Sequence, residues 1–112
     1  RRTPAAGLPA VVAERHVFNQ YVIRVPHRDA VQAALRVKGV GTEVYYPVPM
    51  HTQECFSYLG YGVGSFPESE RAARETLALP VFPELAAEQA DYVVDCLAEV
   101  LASVDVPSRT LA

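Results

Sequence analysis

HVFNQYVIRV, residues 16–25, is dense in β-branched and aromatic side chains and stops at Pro26. Such residues suit a pleated, half-buried surface, so the stretch reads as a strand from His16 to Val25. Alternation puts Val17, Asn19, Tyr21, Ile23 and Val25 on one face and His16, Phe18, Gln20, Val22 and Arg24 on the other. Neither face is plainly polar. The second face therefore needs a cover, either helices of this chain or a partner, and Phe18 and Val22 are the groups it would meet.

Working outward, PHRD is followed by a helical pattern. Asp29 is a candidate cap, Ala30, Ala33, Ala34 and Val37 recur at three- and four-residue spacing, and Gly39 supplies a stop after Lys38. Gly41–Tyr46 reads as a second strand, broken by Pro47 and Pro49, neither of which can donate to a ladder. Residues 52–60 suit a short helix with Cys55, Phe56 and Leu59 inward. A further helix begins near Ser65, with Pro67 in its first turn, Glu68 and Glu70 toward the positive end of its dipole, and Ala72, Ala73 and Leu77 inward. TLALPVFP, residues 76–83, reads as a third short strand. From about Ala86 to Val104 the longest amphipathic helix carries Tyr92, Val93, Cys96, Leu97, Val100 and Leu101 on one stripe.

These elements predict an α+β fold, a small antiparallel or mixed sheet of about three strands packed against helices. The core domain is expected over 16–104. Residues 1–15, a mixture of Pro, Gly, Ala and Arg without a period, read as a tail or cut linker, and 105–112 as a polar tail.

Composition narrows the function. The chain has 112 residues, half of them hydrophobic and about a fifth charged, with a formal net charge of -3. One domain is the expectation. The acidity and the absence of a helix-turn-helix pattern argue against nucleic acid and anionic membrane as partners, since phosphate binding needs clustered positive charge. No apolar run is long enough for a bilayer and the start lacks a signal-peptide core, so a cytoplasmic location is expected. Cys55 and Cys96, far apart and without a CxxC partner, suggest neither a metal site nor a disulfide scaffold and read as core thiols.

Nucleotide-binding glycine motifs, HExxH and GxSxG are all missing. His51 stands four residues before Cys55, a spacing that a helix could turn into a base and thiol pair. The plainer readings are a loop histidine held by a backbone hydrogen bond and a thiol packed in the core. Tyr45 and Tyr46 would point to opposite faces of their strand. Their hydroxyls beside His51, at the tip of a proline-stiffened loop, make a plausible sugar- or phosphate-contacting edge.

HVFNQYVIR, GVGTEVYYPVPMHTQECFSYLGY, FPESERAARETLALPVFPEL and EQADYVVDCLAEVL together resemble, in order and spacing, the C-terminal part of the DegT/DnrJ/EryC1/StrS sugar aminotransferases. The resemblance covers about residues 14–104. It implies the small C-terminal domain of a fold-type I pyridoxal phosphate enzyme, a homodimer that moves an amino group from an amino-acid donor to a nucleotide-linked keto-sugar. It also implies Tyr45, Tyr46 and His51 as substrate contacts where the small domain closes over the active site; Asn19 is a further candidate, its place in a strand equally suiting a hydrogen bond to neighbouring backbone.

In such enzymes a lysine of the large N-terminal domain forms the Schiff base. The one lysine here, Lys38, ends a surface helix beside Gly39 and cannot take that role. The expectation is thus no catalytic residue, metal or cofactor in this chain, pyridoxal phosphate in its full-length parent, and no activity for the fragment alone. A stand-alone regulatory or protein-interaction module of the same fold is the competing expectation.

Overall fold

The computed structural model describes residues 3–104, so the tail expected at 105–112 lies outside the described residues. Its elements are β1 (Tyr21–Arg24), α1 (Arg28–Val37), 3-10 helices at Met50–Thr52 and Glu54–Leu59, α2 (Pro67–Glu75), β2 (Thr76–Leu79) and α3 (Ala87–Val104). The α+β class holds. The sheet, however, has two strands, β1 antiparallel to β2, in place of about three.

The missing sheet has physical causes. Gly41–Tyr46, expected as a strand, makes one bridge, with Glu43 and Ala78 exchanging amide hydrogen bonds of 3.1 and 2.8 Å. Extending that register would set Gly41 against Pro80, which has no N–H, and Tyr45 against Thr76. Thr76 is already engaged. Its N–H bonds to the Ala72 carbonyl at the end of α2, and its carbonyl accepts from Arg28 Nη1 at 2.9 Å. On the other edge of β2, Tyr21 faces Leu79, so the next bonded pair would join Asn19 to Val81. Phe18 prevents it by turning left-handed (φ 45°) and donating its N–H to His16 Nδ1 at 2.9 Å, which bends the chain before Asn19. The strand expected over 16–25 is accordingly four residues long.

The core lies between the sheet and the helices. Ile23, Val31, Leu35 and Leu77 are fully buried and join Val93, Cys96, Leu97, Val100 and Leu101 of α3 in one cluster. Burying each such aliphatic side chain is worth about 1.5–3 kcal/mol, which makes this shared cluster the main stabilising interaction. Tyr92, expected on the same stripe, is instead half-exposed and donates its hydroxyl to the Lys38 carbonyl at 2.8 Å.

Helix α1 starts one residue before the expected cap. His27 takes the cap position with φ 48°, and Asp29 sits in the first turn, 2.6 Å from Arg28 Nε. Arg28 causes this: its buried guanidinium reaches both Asp29 and Thr76, tying the start of α1 to the start of β2. At the other end Gly39 has φ +76° and stops the helix as the sequence suggests.

Residues 3–7, expected within a tail, are part of the packed structure: Ala6 is 1% exposed, and Gly7 exchanges hydrogen bonds of 2.8 and 2.9 Å with Arg24. On the second face of β1, the exposed Pro9, Ala10 and Val11 border a hollow with Phe18 and Val22. Cys55 and Leu59, expected inward, are exposed, and Phe56 is half-buried. A 3-10 helix of six residues has no layer beneath it here, and none of residues 45–66 belongs to the core cluster.

Candidate functional site

Where the two ladders fail, the chain opens into a cleft of about 230 Å³. Asn19 and Gln20 line one side, and Gly41, Thr42, Glu43 and Tyr45 the other. Leu79, Pro80, Val81 and Phe82, continuing from β2, form an apolar floor. Gln32 Nε2 holds the Thr42 carbonyl at 3.3 Å and so fixes the second wall to α1. Amide, hydroxyl and carboxylate groups around aliphatic and aromatic faces are the chemistry that binds a neutral polyhydroxylated ring.

The four expected contacts divide. Asn19 and Tyr45 share the cleft, although the sequence separates them widely. Tyr46 lies outside the lining and is 72% exposed. Its ring meets that of Tyr45 edge-on at 5.8 Å, instead of lying on an opposite strand face, because Gly41–Tyr46 is not a strand here. His51 is buried elsewhere.

His51 Nε2 is 2.9 Å from Glu70 Oε1. The same oxygen accepts from the backbone N–H of Gly64 at 2.7 Å and of Phe66 at 3.4 Å. The His51 hydrogen bond above all, then those amides, hold the Glu70 carboxyl below the usual carboxylate range against the opposing effect of burial. An ionised carboxylate only accepts, so Nε2 of His51 carries the proton. Around the pair the rings of Tyr61, Phe66 and His51 stack edge-on with centroids 5.0 and 4.9 Å apart. A carboxylate, and not a backbone group, is what holds this histidine. Sequence reasoning missed Glu70 as a partner. The usable signal was a glutamate in the first turn of a helix that follows a glycine-rich loop.

The base and thiol pair does not form: Cys55 Sγ donates to Gln53 Oε1 at 3.8 Å, while His51 is engaged by Glu70. Of the two expected core thiols, Cys96 is buried and Cys55 exposed. Among the described residues no three His, Cys, Asp or Glu gather to hold a metal ion, and no helix is long and apolar enough to cross a membrane.

The fold can be placed among known ones. It superposes on the crystal structure of Streptomyces venezuelae DesV in complex with a ketimine intermediate with a TM-score of 0.80 at 33% identity, over 86% of this chain and 26% of that one. An α+β unit of an aminotransferase fold is thus the class to which the chain belongs. More particularly, the model of the DegT/DnrJ/EryC1/StrS aminotransferase family matches residues 3–98, and the chain belongs to that family. A pleiotropic regulatory protein of Geobacillus stearothermophilus is 56% identical over 84 residues, 75% of this chain and 23% of the relative. The dTDP-3-amino-3,4,6-trideoxy-alpha-D-glucose transaminase of Micromonospora megalomicea subsp. nigra is 38% identical over 96 residues, 84% of this chain and 26% of the relative. The chain thus spans about a quarter of the length of these proteins.

The fold family implies pyridoxal phosphate, and the surroundings of Lys38 do not fit a lysine that holds it. Lys38 Nζ lies 2.6 Å from Glu99 Oε2, and this hydrogen bond, followed by the charge of Glu99, holds the ammonium above lysine's ordinary range. A lysine that condenses with a carbonyl needs the opposite shift. The hollow beside it, lined by Ala34, Val37, Glu99, Val100 and Ser103, offers no set of donors for a phosphate.

Proposed function

We propose that this chain is the small C-terminal domain of a pyridoxal phosphate-dependent aminotransferase acting on a nucleotide-linked keto-sugar, and that it supplies one wall of the sugar site. The cleft that joins Asn19 to Tyr45 at the open end of the sheet carries this reading. Family membership and the transaminase relatives support the reaction class. Glu43 on the cleft wall has the sign of a phosphate, so the sugar ring, and not the diphosphate, faces Asn19 and Tyr45. The cofactor and its lysine come from outside this chain, which is inactive alone. A cytoplasmic homodimer using an amino-acid donor completes the reading.

In the complete enzyme, Asn19→Ala and Tyr45→Phe each remove one hydrogen-bonding group from the sugar. The KM for the nucleotide sugar then rises roughly three- to tenfold while the amino-donor half-reaction keeps its rate. Unchanged KM in both variants would sink the assignment. A second reading, a regulatory or interaction module, is favoured by the name of the 56% identical relative. The gene upstream of Arg1 separates the two: a long reading frame with a suitable lysine supports the enzyme, and a start codon directly ahead supports the module.

A further inference from the structure

We propose that His51 and Glu70 are positioning residues of the cleft, a clasp that sets the Tyr45 wall at a fixed distance from the β2 floor. The excursion 45–66 contributes nothing to the core cluster, so core packing does not hold it in place. Polar bonds do, with the edge-on rings of Tyr61, Phe66 and His51 around them. Glu70 Oε1 takes His51 from the outgoing limb and the Gly64 and Phe66 amides from the returning limb, gathering both onto one atom.

From that atom two rigid paths lead to the cleft. Through His51 the path enters the 3-10 helix Met50–Thr52. There Thr52 Oγ1 donates to the Pro49 carbonyl at 3.0 Å and Gln53 Nε2 to the Val48 carbonyl at 3.3 Å, a few residues from Tyr45. Through Glu70 the path runs down α2, which passes without a loop into β2 and so to Ala78 and Leu79 on the opposite side of the cleft. The pair closes a ring of which the cleft is the open segment. A buried carboxylate with three hydrogen bonds on one oxygen also has little freedom to let the ring relax. His51 therefore acts on the sugar site through Tyr45 and does not touch substrate.

The inference rests on the sugar-site reading for its kinetics and on geometry alone for its mechanics, and two measurements on the holoenzyme keep these apart. Hydrogen exchange reads the clasp. In Glu70→Ala and His51→Phe, amides of 45–66 exchange at least tenfold faster while those of α1 and α3 do not change, and Glu70→Gln, which keeps an acceptor oxygen in place, stays near wild type. Steady-state kinetics read the cleft. Glu70→Ala raises the KM for the nucleotide sugar by about ten- to a hundredfold, with kcat and the amino-donor half-reaction within about threefold of wild type, and Glu70→Gln restores most of it. Unaltered exchange in 45–66 overturns the clasp. Faster exchange with an unchanged KM overturns its link to the sugar, as does an equal loss of both half-reactions. If the wild-type enzyme turns over no nucleotide sugar while the exchange result holds, the clasp stands and the sugar-site reading fails.

Discussion

Glu70 places three hydrogen bonds on one oxygen, and their effect on stability depends on its charge. Its carboxyl in the folded chain titrates below the ordinary value of 4.5. A group depressed in this way adds stability that is present above the unfolded pKa and is lost as pH falls through the folded one. Denaturant titrations between about pH 3 and pH 6 should therefore show a steeper acid loss for the wild-type chain than for Glu70→Gln. Coincident slopes would mean that the carboxylate charge contributes nothing. At this scale the sequence was only partly legible. Tyr45 is legible as a polar tip at an expected strand end, whereas Asn19 lies inside the strand expected over 16–25, where a backbone hydrogen bond explains it equally well. For His51 the sequence offers a loop histidine held by backbone, or a pair with Cys55 four residues away, because only local spacing is visible in a sequence. Its real partner is nineteen positions off, joined only by a helix packing back over a loop.

Among the elements, α1 and α3 were readable because their apolar spacing and the Gly39 stop are local properties. Strands are legible only as far as their neighbours permit. Gly41–Tyr46 has strand-forming residues, yet Pro80 and the engaged Thr76 leave it one pairing site. Likewise the first strand ends where Phe18 turns over, a choice that β propensity does not express. The cleft is thus made by an interrupted sheet. Replacing Pro80 by Ala supplies the missing N–H opposite the Gly41 carbonyl. That amide should become protected from exchange and the cleft should narrow; under the function proposed above, the KM of the complete enzyme for the nucleotide sugar should rise several-fold, on the order of 1 kcal/mol. A residue-80 amide that exchanges at the rate of open loop would show that the proline is not what halts the ladder.

For the whole molecule, the excursion 45–66 carries Val48, Met50, Tyr58, Leu59, Tyr61, Val63 and Phe66 with much of their surface exposed. So much exposed apolar surface on a chain that spans about a quarter of its relatives' length favours association. The isolated chain should sediment as concentration-dependent oligomers. Val63→Glu, at a site 89% exposed, should shift it toward monomer with a change in folding stability of no more than about 0.5 kcal/mol. A monomer at all concentrations would argue that this surface is not an interface.

Ala6 gives the beginning of the chain a weight that its composition conceals. A version trimmed to start at His16, where the sequence predicts the first strand, would strip the methyl that plugs the core beside β1 and leave the Arg24 amide and carbonyl without Gly7. Water would then reach the underside of the sheet. By the same token, a protease that nicked the exposed link at 9–15 would leave a short peptide whose return to its groove had become a bimolecular event, so the cut molecule's integrity would depend on dilution.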